Sequence, residues 1–370
     1  MKGRKRKKLA RKHIVLIEWT VLAAMAVSVV VAAVFFLRGR LGRPQQPAEQ
    51  TTEESAAQTE TAMPKNTYLF SFAGDCTIGS LLEWQGGLDV DFQSVVGDNY
   101  AYPLSGVKDI FAADDLTVVN LEGTFTGSVN AVEKPYRFKA DPAYVRVLTE
   151  GGVDAVSLAN NHSGDFGAEG KQDTADALDS AGILHTDAGN PLIRTMEGGL
   201  KVGIVSYNTV DNYSGEAAWR AGVKEDIDTC KGAGCSLIIG FMHWGTVEYL
   251  TEPEAWEVQL AHDMADWGCD LIVGGHAHIL QRMEYYGDVP IFYSLGNFCF
   301  GGNTDPDDKD SVIVQAEYTW ADGTAKRSGL KVIPCEISSR MDRNDYCPTV
   351  CAEGSADYER VLKKLEWKEP

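Results

Sequence analysis

The chain contains no Cys-x-x-Cys pair, and that absence argues against a zinc ribbon, which is built on such pairs. Histidine is scarce, with seven in 370 residues, so a place where several gather calls for an explanation. Basic residues are few once the amino end is passed. Residues 1–43 hold eleven Lys or Arg against one acid, a net of +10, so the whole-chain charge of −19 leaves −29 for the remainder. So acidic a remainder excludes nucleic-acid binding, which depends on basic stripes, and it opposes adhesion to anionic lipid. No self-similarity at a solenoid period is present, which excludes a repeat architecture.

What is present begins with eight Lys or Arg within residues 2–12, followed by an apolar run from Ile14 to Leu37 interrupted by Glu18, Thr20 and Ser28. A helix of about 20 apolar residues crosses the hydrocarbon core, and this run is too long for the apolar region of a cleaved signal peptide. The heavier positive flank stays inside. The pattern therefore predicts a cytoplasmic basic tail at 1–13, a transmembrane helix at 14–37 seated in the lipid bilayer, and a C-terminal domain outside the cell membrane. Residues 38–66 read as a flexible linker, since Pro44 to Asn66 is rich in Gln, Glu, Thr, Ala and Pro and has no aromatic residue. All eight cysteines follow the span, in a compartment that permits oxidation. Disulfides are expected between Cys230 and Cys235 and within the set Cys335, Cys347 and Cys351, with connectivity left open.

From Tyr68 onward short apolar runs alternate with helical ones. Strands are predicted at 68–73, 116–119, 155–158, 236–242, 271–273 (ending in the turn Gly274-Gly275) and 290–295. Helices are predicted at 141–150, with Asp141 as N-cap and Gly151-Gly152 as the stop, and at 168–180, 218–231, 254–267 and 357–366. Hairpins are predicted at 192–207 and 311–333. This alternation means an α/β fold with largely parallel strands, in which ligands collect at the carboxyl ends of the strands.

The polar residues sit at those ends. The strand ends read Gly74-Asp75, Asn120-Leu121-Glu122, Asn161-His162, His243-Trp244-Gly245, Gly275-His276-Ala277-His278 and Gly296-Asn297. Taken singly, each is a turn, a helix cap or a hydrogen-bonded structural group. Together they bring carboxylate, amide and imidazole donors to one edge, and four of the seven histidines fall in these turns. That mixture suits Mn, Fe or Zn, one or two ions, with Glu122 placed to bridge. Arg137 and Lys139 could grip an anionic substrate group, or they could be solvated charges on an exposed strand. Trp244 and Phe298 read as core residues more readily than as walls of a cleft, and Cys76 as a small core residue more readily than as a soft ligand or reactive thiol.

The series Ala73-Gly74-Asp75, Asn120-Leu121-Glu122-Gly123, Asn160-Asn161-His162 with Asp165 and Gly167, His243-Trp244-Gly245, Gly274-Gly275-His276-Ala277-His278 and Tyr293-Ser294-Leu295-Gly296-Asn297-Phe298 resembles the poly-γ-glutamate capsule-synthesis family, often called CapA. The resemblance runs from about Tyr68 to Gly301. It implies a relative of calcineurin-like metallophosphoesterases: a four-layer α/β/β/α sandwich at 67–301, with 302–370 as a β-hairpin and helix extension packing on the same domain. By position it implies Asp75, Glu122, Asn161, His243, His276 and His278 as metal ligands, His162 and Asp165 as catalytic residues, and Arg137, Lys139 and Asn297 as substrate-binding residues. Two positions depart from the phosphoesterase pattern. Thr77 stands where Asp-x-His has its histidine, and Glu122 stands for an aspartate. The implied partners are an envelope polymer, poly-γ-glutamate, and membrane synthase or export subunits. Two functions remain open: a metal-dependent phosphoesterase or other hydrolase acting on an envelope substrate, and a non-catalytic subunit that binds or guides the polymer.

Overall fold

The structure is a computed structural model of the chain, and it describes residues 65–84, 89–210 and 215–369. The expected membrane span at 14–37 and nearly all of the linker at 38–66 lie outside the described residues. Among the described residues, no helix is long and apolar enough to cross a membrane.

In chain order the strands are β1 (Thr67–Cys76), β2 (Ser80–Leu81), β3 (Leu116–Leu121), β4 (Thr124–Phe125), β5 (Phe138–Ala140), β6 (Ala155–Ser157), β7 (Leu184–Thr186) and β8 (Leu192–Thr195). They continue as β9 (Lys201–Asn208), β10 (Leu237–His243), β11 (Leu271–Gly275), β12 (Met283–Tyr286), β13 (Val289–Phe292), β14 (Asp310–Ala321), β15 (Thr324–Glu336) and β16 (Thr349–Val350). The four longer helices are α1 (Gly167–Ala181), α2 (Glu216–Gly232), α3 (Ala255–Asp266) and α4 (Ala356–Lys364). A seven-stranded sheet runs β16-β15-β14-β1-β3-β6-β7, a six-stranded sheet runs β12-β13-β11-β10-β9-β8, and a small third sheet runs β2-β5-β4. Within the first sheet β1, β3, β6 and β7 are parallel. Within the second, β9, β10, β11 and β13 are parallel, with β8 and β12 antiparallel at the edges.

Strand alternation builds the layers. Leu237, Ile239 and Phe241 of β10 face one apolar core together with Phe70 and Phe72 of β1 and Val312 and Val314 of β14. Between them on β10, Ile238 and Met242 face a second core, made with Val223 and Ile227 of α2 and Leu260 and Met264 of α3. On the far side of the first sheet, Val119, Val156 and Ile313 meet Leu178 of α1 and Val147 and Leu148 of the helix Val145–Gly151. The result is helices, sheet, sheet, helices, in the expected four layers.

The hairpin β14–β15 is more than an extension. Strand β14 pairs antiparallel with β1, from Thr67↔Thr319 to Phe72↔Val314, so it lies inside the first sheet. Residues 302–370 are therefore part of the same compact unit, which runs from residue 63 to 370. The expected helix at 141–150 forms as a 3-10 turn, Pro142–Tyr144, leading into Val145–Gly151. Asp141 accepts from the Ala143 amide at 2.9 Å, and Gly152 stops the helix at φ 85°. The short third sheet gave no periodic signal, because its strands have two or three residues.

The expected disulfides are not formed. All eight cysteines are thiols. Cys230 packs among Val205, Val223 and Ile227, and Cys335 among Ile313 and Ile333. Both fill space as small apolar side chains.

The two main sheets are joined at their carboxyl edges. The Asp75 amide donates to Gly296 O at 3.0 Å and the Phe298 amide to Asp75 O at 2.8 Å. The chains approach so closely that a Cβ on Gly74 would fall onto the carbonyl oxygen of Gly296. Replacing Gly74 with Ala therefore displaces a whole strand end. Gly74→Ala is expected to cost about 3 kcal/mol, the range of an overpacked core site, in urea unfolding of the full-length protein. Gly127→Ala, where a Cβ meets nothing within 4 Å, is expected to be near neutral. Equal melting of the two variants would refute the close-approach account.

Candidate metal centre

Parallel strands deliver their last residues to one edge, and this edge collects the candidate donors. Asp75 ends β1, Glu122 follows β3, Asn161 and His162 follow β6, His243 ends β10, and His276 and His278 follow β11. One atom each from Asp75, Glu122 and His278 can be chosen so that all lie within 4.8 Å of one another. His243 Nε2 is 3.5 Å from Glu122 Oε1 and His243 Nδ1 is 3.7 Å from Asp75 Oδ1. His278 Nδ1 is 3.7 Å from Asp75 Oδ2. Asn161 Oδ1 lies 2.7 Å from His243 Nε2, and the ring centroids of His243 and His276 are 5.0 Å apart. The six expected ligands thus meet in one place.

Their electrostatics are those of a site built for a cation. Asp75 and Glu122 are both fully buried. Burial pushes the Glu122 carboxyl well above its usual range, and the neighbouring Asp75 pushes it further. Burial also raises Asp75, against the opposing pull of His278 and of the hydrogen bond from Asn120. Neither carboxylate oxygen of Glu122 accepts a hydrogen bond. Two unpaired buried oxygens on one acid are costly unless a positive charge meets them. The imidazoles are set the other way. Burial drives His276 down to about 3, and the facing His278 and His162 add to the shift. His243 is lowered well below its ordinary value, first by burial and then by His276. Neutral imidazoles keep a lone pair for a metal, and the buried His276 Nδ1 has no hydrogen-bond partner. The residues present therefore fit a divalent ion. His276 and His278 also hold φ of 89° and 56°, a left-handed backbone that side chains rarely adopt and that persists at functional turns.

Outer partners orient this set. The Asp75 side chain accepts from Asn120 Nδ2 at 2.8 Å and from the His276 amide at 3.0 Å. Asn120 Oδ1 in turn accepts from Asn160 Nδ2 at 2.9 Å. His162 Nδ1 lies 2.9 Å from Asp165 Oδ2. The other oxygen of Asp165 pairs with Lys134 Nζ at 2.7 Å, and Lys134 also donates to Asn161 O at 2.7 Å.

With the geometry established, comparison with known proteins gives the family. A model described as bacterial capsule synthesis protein PGA_cap matches residues 69–302. The chain belongs to the PGA_cap family. It is 28% identical over 316 residues to the PGA biosynthesis protein CapA of Bacillus subtilis, covering 80% of this chain and 77% of that one. It is 32% identical over 241 residues to the capsule biosynthesis protein CapA of Bacillus anthracis, covering 57% and 56%. It is 31% identical over 213 residues to a probable polyglutamine synthesis accessory protein of Mycobacterium tuberculosis, covering 50% and 55%. This chain thus spans three quarters of the first relative and little more than half of the other two. A solved calcineurin-like phosphoesterase, YfkN of Bacillus subtilis, aligns over 81% of this chain and 97% of its own at 14% identity and a TM-score of 0.45.

In this PGA_cap protein three expected substrate contacts are elsewhere. Asn297 is buried and held to His278, through Oδ1 at 2.9 Å from Nδ1 and Nδ2 at 3.0 Å from the carbonyl. It holds the His278 ring and backbone in place. Arg137 pairs with Glu83, and Lys139 donates to Ser128 O at 2.7 Å. The reason is strand alternation: Tyr136 and Phe138 line the cleft beside His162 and His278, and their neighbours face away. Trp244 is buried, donates to Tyr293 O at 2.8 Å and is core. Phe298 packs on Phe111 and is core too. Cys76 is buried in the core beside Val119 and Phe298, and burial raises its thiol to about 12. Lys134 was missed, although it lies three residues before Arg137; a cation counted alone gives no pairing signal.

A thermal melt checks the donor set. Mn²⁺ at about a hundredfold excess over its Kd is expected to stabilise the full-length protein by about 2.7 kcal/mol. Glu122→Gln is expected to abolish that gain while melting no lower than wild type without metal. Retained Mn²⁺ stabilisation in Glu122→Gln would remove Glu122 from the ligand set.

Proposed function

We propose that this chain is a membrane-anchored protein of capsule or poly-γ-glutamate biosynthesis whose extracytoplasmic domain is a metal-dependent, metallophosphoesterase-like hydrolase. The observation that carries the reading is Glu122, whose two buried oxygens have no hydrogen-bond partner among the described residues and one of which lies 3.5 Å from the neutral His243 ring. Asp75, Glu122, Asn161, His243, His276 and His278 would hold one or two ions of the Mn, Fe or Zn class, given their mixed oxygen and nitrogen donors. A divalent ion bound there supplies Lewis acidity toward a phosphoryl or acyl oxygen. The family membership and the names of the relatives, which concern PGA and capsule biosynthesis, support an envelope polymer as partner. The basic flank and apolar run support the anchor and a cytoplasmic amino end, and membrane synthase or export subunits are the natural neighbours of such an anchor.

The chain's own residues divide the work. Asp165 fixes His162 through Nδ1, so Nε2 is the ring atom left for the cleft. Burial lowers His162, against the pull of Asp165, so the ring is neutral at neutral pH. A neutral ring with its Nδ1 proton directed at Asp165 takes a proton at Nε2 before it gives one to a leaving group. Lys134 balances Asp165, so the dyad carries its own counter-charge.

A second reading rests on Thr77. Its buried hydroxyl stands where the phosphoesterase pattern has a histidine, and it has no hydrogen-bond partner. One ion position then lacks a ligand, which favours a domain that binds or guides polymer without turning it over. Metal analysis, phosphatase and peptidase assays and polymer output separate the two. Under the hydrolase reading, His276→Ala and His162→Ala each lose at least about 100-fold in metal-dependent turnover, the scale of a lost general acid or base, and His162→Ala keeps its metal. Polymer output unchanged in His276→Ala, with no turnover in wild type, would leave only the second reading.

A further inference from the structure

The centre opens into a cleft of about 320 Å³ whose chemistry is not that of an anion site. Its walls include Trp84, Tyr136, Phe138, Tyr249 and Phe300, and the single charged residue at its rim is Glu248. Tyr136 and Tyr249 are both 57% exposed, so their ring faces at the cleft are open to a ligand. The rings enclose the histidine floor: Phe138 lies 4.5 Å from the His162 ring, Phe300 5.2 Å and Tyr249 6.1 Å from the His278 ring. Glu248 is exposed, and among the described residues no hydrogen bond or ion pair engages it. Its charge reaches both the Tyr249 hydroxyl and Glu122.

The cations beside the cleft are spent. Lys134 is engaged by Asp165 Oδ1 and Asn161 O, and Arg137 by Glu83. A run of free carboxylates would therefore meet aromatic faces and a like charge, with only a bound metal to attract it. Aromatic rings beside an unpaired carboxylate are the chemistry that holds an ammonium group.

We propose that this cleft takes the ammonium-bearing end of a γ-linked glutamyl chain, with Glu248 as counter-ion and the rings of Tyr136 and Tyr249 as faces, and not the anionic interior of the polymer. This rests on the metal-centre reading, since the same site would then act on the chain end it admits.

Calorimetry on the full-length protein in detergent tests it, with two probes: tri-γ-glutamate with a free amino end, and the same peptide N-acetylated. A Mn²⁺ titration comes first. Absence of Mn²⁺ binding would overturn the metal centre by itself, and the peptide comparison is then made on metal-free protein. The free-amino peptide is expected to bind at least about tenfold more tightly than the acetylated one, the effect of one desolvated cation contact. Glu248→Gln is expected to remove that preference while Mn²⁺ still binds. Equal or tighter binding of the acetylated peptide, no binding of either, or an undiminished preference in Glu248→Gln would each overturn the proposal.

Discussion

The molecule depends on one join. Asp75 belongs to the ladder of the first sheet, yet its amide and carbonyl bond to Gly296 and Phe298, and its carboxylate accepts from the backbone of His276 beyond the second sheet. The glycines at 74, 274 and 275 are there because the chains leave no room for a Cβ. At Gly275 it would lie 2.5 Å from Asp75 Oδ1. A carboxylate fixed from both sheets cannot swing out to water to relieve its burial. The join therefore sets the ligand geometry before any ligand arrives, which is what preorganisation requires.

The same rigidity explains how the charges are divided. Three buried acids lie around the site, and only Asp165 has a lysine of its own. Asp75 has amide donors but no cation, and Glu122 has neither. Replacing such groups with apolar ones would relieve the fold, so acids buried in this way call for positive charge from outside the chain. His243 and His276 do not supply it, because burial keeps both neutral. Strain at His276 and His278 belongs to the same account: a turn held at positive φ needs a frame stiff enough to keep it there.

Much of this was legible in the sequence, and the limits are physical. Parallel strands with buried faces carry long apolar runs, and their ends are marked by Gly, Asp, Asn and His, so β1, β3, β10 and β11 and the donors after them could be found. Orientation was harder. Arg137 and Lys139 looked like substrate contacts because charge was counted without the two-residue alternation that turns Tyr136 and Phe138 inward. Asn297 sits in the right motif but serves His278, and sequence adjacency does not separate a ligand from the residue that aims it. The hairpin β14–β15 seemed terminal because chain order conceals that β14 lies against β1. The cysteines were read from compartment and count, whereas the packing uses them as small apolar groups.

The proposal that an acidic domain takes an acidic polymer is contradictory only if net charge is treated as acting at long range. At physiological salt, exposed charges are screened within about 8 Å, so the −29 beyond residue 43 slows approach without deciding what is bound. The decision falls to the groups within that distance of the cleft. Those are aromatic faces, Glu248, the histidines and the carboxylates of the centre, with Lys134 and Arg137 already paired. Such a surface discriminates along a chain more sharply than a basic groove would. A basic groove binds every anionic segment of a uniform polymer alike, and so cannot locate an end. A pocket that repels the interior and tolerates one differently charged terminus gains position from that repulsion. Under the proposed end-recognition, the acidity of the domain would be part of how it selects where on a polymer it acts.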